Sequence, residues 1–131
     1  MAAKTGWNRL WHNLQRFALE EIDLVQKQLP LVLRHKALKL PVTLEPQPSK
    51  ALVRDGLEPD VLGLYIGETF AESFSGGDEL PSQIILFLEN IWDYVDHDTA
   101  EYREEVRVTY LHELGHYLGL DEDDLAMRDL D

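Results

Sequence analysis

Residues 112–122 read HELGHYLGLDE, and the fold and the chemistry of the chain turn on them. Four residues are about one helical turn, so His112 and His116 project from one face of a helix. Two imidazole nitrogens placed there can hold one Zn2+. Glu113 is rotated about 100° from His112 around the axis. It can therefore reach a water at the metal without being a ligand, which is what a general base requires. A catalytic zinc usually has three protein ligands, so one is missing from this helix. Gly119 can adopt the left-handed backbone that ends a helix, after which the chain can double back and present an acid. Glu122 is chosen as the third metal ligand because it completes the spacing H-E-x-x-H-x-x-G-x-x-E, with Asp121 and Asp123 as close alternatives.

By chance, H-E-x-x-H should arise in roughly two chains of this composition per hundred, and the added Gly and acid lower that roughly another hundredfold. The competing account is a surface helix carrying two solvated histidines. Val106, Tyr110, Leu111, Leu114 and Leu118 speak against it, because they mark a buried helix in which unpaired polar groups are costly.

Composition sets the frame. At 131 residues and 44% hydrophobic content, residues 1–131 are expected to form one domain with one core. There are no cysteines, so a zinc site must use histidine and carboxylate. The start, MAAKTGWNRLW, lacks the apolar run of a secretion signal. No stretch approaches the roughly 20 apolar residues that span a bilayer. A cytoplasmic protein without membrane contact is expected. The net charge of −13 is uneven: residues 1–50 hold 8 Lys/Arg against 4 Asp/Glu, and residues 51–131 hold 4 against 21. Nucleic-acid binding, which rests on concentrated positive charge, is not expected. The acidic half is read first as a solvated surface, and second as a field that draws a basic peptide.

Along the chain, Trp7, Leu10, Trp11, Leu14, Phe17, Ala18, Ile22 and Val25 recur at three- and four-residue steps and predict a helix over 7–28, followed by Pro30. Residues 31–40 fit a short helix or a linker. VTLEP after Pro41 predicts a short strand, and 47–60 a loop. VLGLYI at 61–66 and QIILFL at 83–88 read as strands, and IWDYV as a helical turn. Asp98 with Glu101 three residues later marks the start of a helix over 99–118 that carries the motif near its end. The stretch EDDLAMRDLD can form a short last helix. His12 and His35 are read as structural or solvated, and His97 as a weak candidate for a fourth polar group of the site.

With these residues in place, the chain resembles the small bacterial zincin-like metallopeptidases, or minimal zincins. The matching segments are LGLY at 62–65, LPSQIILF at 80–87 and LHELGHYLGLDEDDL at 111–125. They span roughly the second half of the chain, while the N-terminal helix fits in position only. The resemblance implies an α+β, zincin-like fold, with a long N-terminal helix and a small mixed β-sheet packed on the HExxH helix. It also implies one zinc per chain bound by His112, His116 and an acid after Gly119, with Glu113 as base. That family commonly has Asp where this chain has Glu122, one methylene longer, which keeps Asp121 and Asp123 in play. The motif is also similar to that of metzincins through Gly119, but their third histidine and Met-turn are absent.

The function expected is a zinc-dependent metallopeptidase in which Glu113 deprotonates water at the metal. A peptide or small protein substrate would dock along strand 83–88 as a sheet edge. Tyr117 and Tyr65 are candidate oxyanion donors by residue type. The alternatives are a metal-binding module without hydrolysis and a protein-interaction domain.

Overall fold

The computed structural model describes residues 2–67 and 82–119. Helix α1 spans Ala2–Gln28. Leu14, Ala18, Ile22 and Val25, spaced by three and four residues, bury one stripe of it, and Leu29 continues the stripe just beyond its end. Each such side chain contributes about 1.5–3 kcal/mol when fully removed from water, apart from the smaller alanine. The aromatic start of the stripe is looser, for Trp7 stacks on Trp11 and stays 38% exposed.

Pro30 turns the chain into α2, Leu31–Leu38, so the segment that fitted helix or linker is a helix. Arg34 fastens the two. Its Nε donates to the carbonyl of Gln26 at 3.0 Å, and its Nη2 to those of Lys27 and Leu29. These carbonyls lie at or just past the end of α1, where the helix itself supplies few donors.

Strand β1, Val42–Glu45, follows. The expected loop over 47–60 contains a helix instead: α3, Lys50–Arg54. Ser49, read as a loop residue, caps it by accepting from the Leu52 amide at 3.2 Å. Strand β2 is Gly63–Ile66, shorter than the expected 61–66. Strand β3 is Gln83–Phe87, and Leu88, assigned to that strand from sequence, opens α4, Leu88–Tyr94. The stretch read as one turn is thus a helix.

Helix α5 runs Thr99–Tyr117 with Asp98 at its start, whose Oδ1 accepts from the Glu101 amide at 2.9 Å. The short last helix expected after Glu122 lies outside the described residues. So does most of the expected connection 67–77.

The sheet order is β1-β3-β2, with β1 parallel and β2 antiparallel to β3. This corrects one expectation directly. Strand 83–87 is central, both of its edges are occupied by sheet partners, and a peptide cannot be added along it. The run Ile84–Phe87 is buried throughout, as a strand covered on both faces must be.

Sheet and helices close on one core. Ile84, Leu86, Leu88 and Ile91 meet Tyr102, Val106, Tyr110 and Leu114 of α5 and the stripe of α1. The architecture is α+β, with a long N-terminal helix and a small mixed sheet against the motif helix. No helix among the described residues is long and apolar enough to cross a membrane.

Candidate metal centre

Helix α5 carries two chemistries on opposite sides. Toward α1 it is sealed. Tyr102 Oη donates to the Leu14 carbonyl at 2.8 Å, and Gln26 Nε2 donates to Tyr110 Oη at 3.1 Å. The buried Glu21 takes Arg103 at 2.8 Å and Arg107 at 3.1 Å.

Toward β2 lies the motif. One ligand atom each from His112, Glu113 and His116 fall within 4.8 Å of one another. The helical period brings the imidazoles together edge to face, at 85°, with their Nε2 atoms 3.3 Å apart. A tetrahedral zinc with nitrogens at roughly 2.0–2.1 Å holds two of them roughly 3.3 Å apart, so the spacing of the pair suits the ion. His112 and Glu113 are half-buried and His116 is exposed, so the centre opens to solvent on the His116 side.

Glu113 is positioned by β2. The strand approaches so closely that a Cβ on Gly63 would stand 2.7 Å from Thr109 Cγ2 and 3.4 Å from Glu113 Cγ. Two residues on, the backbone N–H of Tyr65 donates to the Glu113 carboxylate. Burial raises the pKa of Glu113 above the ordinary carboxylate value, against the opposing pull of His116, His112 and the Tyr65 amide. A raised carboxylate pKa brings a base closer to neutrality, where proton transfer is most effective.

Gly119 has φ +76°, and its amide donates to the His116 carbonyl at 3.1 Å. The helix therefore ends in the left-handed turn expected of that glycine, one turn past the second histidine. Glu122, Asp121 and Asp123 lie outside the described residues.

This geometry has a match among known families. The family model of zincin-like metallopeptidases matches residues 38–130. The chain belongs to that family. No curated protein matches it closely enough to count as a relative. The zincin match begins at the end of α2, so α1, which forms one wall of the core, lies outside it.

The remaining sequence candidates fall elsewhere. The Tyr65 hydroxyl donates to Ser82 Oγ at 3.3 Å and its ring packs on Tyr117 at 6.0 Å, so what β2 offers Glu113 is the Tyr65 amide. Tyr117 is buried. His97 bonds Asp93 at 2.8 Å and stacks on Trp92. It precedes α5, and the fourteen residues from Asp98 to His112 are roughly 21 Å of helix, too far for it to join the motif. His12 and His35 are exposed.

Beside the motif is a cleft of about 310 Å3, with walls that include Val61, Leu62, Gly63, Glu105, Val108 and Thr109. None of these was assigned to the site from sequence. A signal was available for two of them: Glu105 and Thr109 stand seven and three residues before His112, on its helical face.

Proposed function

We propose that the protein is a zinc peptidase in which His112, His116 and an acid after Gly119, Glu122 by spacing, hold one zinc ion, and Glu113 is the general base. The observation that carries this reading is the pair of Nε2 atoms at 3.3 Å with the Glu113 carboxylate within 4.8 Å of them. Zinc bound there supplies Lewis acidity, making water acidic near neutral pH and polarising a substrate carbonyl. Glu113, oriented by the Tyr65 amide, takes the proton of the attacking water and passes it to the leaving amine.

The substrate lies along β2, which is an edge among the described residues. Phe87 N–H donates to the Leu62 carbonyl at 2.9 Å, so the antiparallel alternation turns the backbone groups of Gly63 and Tyr65 away from β3. The Tyr65 amide is taken by Glu113, and the other outward groups suit an extended peptide added to the sheet.

The test begins with metal content of untagged protein purified without chelator. The expected result is about one zinc per chain, lost in His112→Ala/His116→Ala, together with cleavage of a peptide library that Glu113→Gln abolishes while retaining zinc. A folded wild type unable to take up zinc overturns the reading. Cleavage persisting in Glu113→Gln removes Glu113 from the base role, and a zinc-loaded wild type that cleaves nothing favours a metal-binding module.

A further inference from the structure

The cleft beside the motif has a composition that water activation does not explain. Val61, Leu62 and Val108 give it aliphatic walls, His112 and Glu113 lie at its metal end, and Glu105 supplies a carboxylate away from the metal. Glu105 is two helical turns before His112, roughly 10 Å along the axis.

That carboxylate is half-buried and has no Lys or Arg partner among the described residues. The cations nearest in sequence are committed elsewhere, Arg103 to Glu20 and Glu21, and Arg107 to Glu21. Burial and the neighbouring Glu104 both push the Glu105 pKa up, which reflects a charge held without compensation. Beyond it, Glu101 and Glu104 with Tyr94 line a second hollow that shares Glu105 and Val108 with the cleft, so the acidic lining continues.

An aliphatic channel with an uncompensated anion at its far side suits one kind of side chain, a long apolar stem carrying a cation. We propose that this cleft receives a lysine or arginine side chain of the peptide substrate next to the scissile bond, with Glu105 as the specificity-determining residue. The proposal rests on the peptidase reading for the direction of the substrate and deepens it by naming the substrate class, a basic peptide.

The test measures binding as well as cleavage, so that the two readings fail separately. Peptidyl hydroxamates, which ligate zinc and are not turned over, are made in two series, one extending each way from the zinc-binding group. Each carries lysine or its isostere norleucine at the adjacent position. Binding to the zinc-loaded full-length protein is measured by calorimetry. In one series lysine is expected to bind about fivefold tighter than norleucine, a preference that shrinks in high salt and disappears in Glu105→Gln.

Glu105→Gln removes a carboxylate that burial disfavours and is expected to fold; its circular dichroism and zinc content verify this. Equal affinities in both series overturn the assignment, and so does a lysine preference retained in Glu105→Gln. Failure of every hydroxamate to bind zinc-loaded protein overturns it as well, because the cleft is then closed to ligands. If the lysine preference holds while no peptide is cleaved, the cleft assignment stands and hydrolysis falls.

Discussion

The two sides of α5 treat a buried carboxylate in opposite ways. On the α1 side, Glu21 is 5% exposed and is met by Arg103 and Arg107. On the β2 side, Glu113 is half-buried with no Lys or Arg to neutralise it among the described residues; two histidines and one backbone amide favour its charge, but burial outweighs them and its pKa rises. A carboxylate that only holds a fold together is best kept paired, since an unpaired buried charge costs several kcal/mol. A carboxylate that must exchange a proton is useless if an arginine fixes it as an anion. The difference separates a structural acid, Glu21 of α1 packed against one side of α5, from the acid that α5 itself carries on its other side, and it supports the role proposed for Glu113.

The comparison can be broken or sharpened by experiment. The largest effect is expected for Glu113→Gln, which should lower kcat/KM on a cleaved peptide by about 10²- to 10⁴-fold while leaving zinc content and the circular dichroism of the fold intact. On the other side the pattern inverts. Arg103→Met/Arg107→Met strands Glu21 and should cost about 2–4 kcal/mol in urea unfolding, somewhat below a fully buried pair because both arginines keep solvent contact. Zinc affinity should not change, and a loss there would mean that the two faces are coupled.

Gly63→Ala forces a methyl against Thr109 Cγ2 and should cost about 1–3 kcal/mol, partly recovered by Thr109→Ser in a double-mutant cycle. No recovery would show that the seam is not limited by that contact.

The smallest effect is one of pH. The folded pKa of Glu113 is raised, so in metal-free protein its ionisation opposes folding. Stability is therefore greatest when Glu113 is protonated, and it declines as pH rises from the ordinary carboxylate range through the raised value. Melting temperatures of chelated wild type and Glu113→Gln, compared from roughly pH 4 to pH 8, should diverge with rising pH in favour of the variant. Parallel curves would remove the burial penalty on Glu113.

Much of the site was legible because it is local. The pairing of His112 with His116, the cap at Asp98 and the left-handed end at Gly119 follow from helix geometry and from neighbours a few residues apart. The third ligand was assigned by spacing among Glu122, Asp121 and Asp123, residues outside the described part of the chain. The supporting wall was not legible. A close approach of Gly63 to Thr109, or the Tyr65 amide on Glu113, joins positions more than forty residues apart, and no local pattern encodes which strand faces the helix. The Tyr65 side chain drew attention by its type, but the backbone beside it makes the contact with Glu113.

The sequence by itself determined the motif helix, its start and end, the α1 stripe and the chemistry of the donor set. These depend on the 3.6-residue period, on capping residues and on functional groups, all local properties. Only the tertiary structure decided that Gln83–Phe87 is the central strand and that Gly63–Ile66 is, among the described residues, the edge beside Glu113. The unbroken apolar run Ile84–Phe87 fits a strand buried on both faces, but strand order is set by hydrogen bonds between distant segments and by which surfaces the helices cover. The strand beside the candidate metal centre, and with it the cleft lined by Glu105, exists only once those surfaces have met.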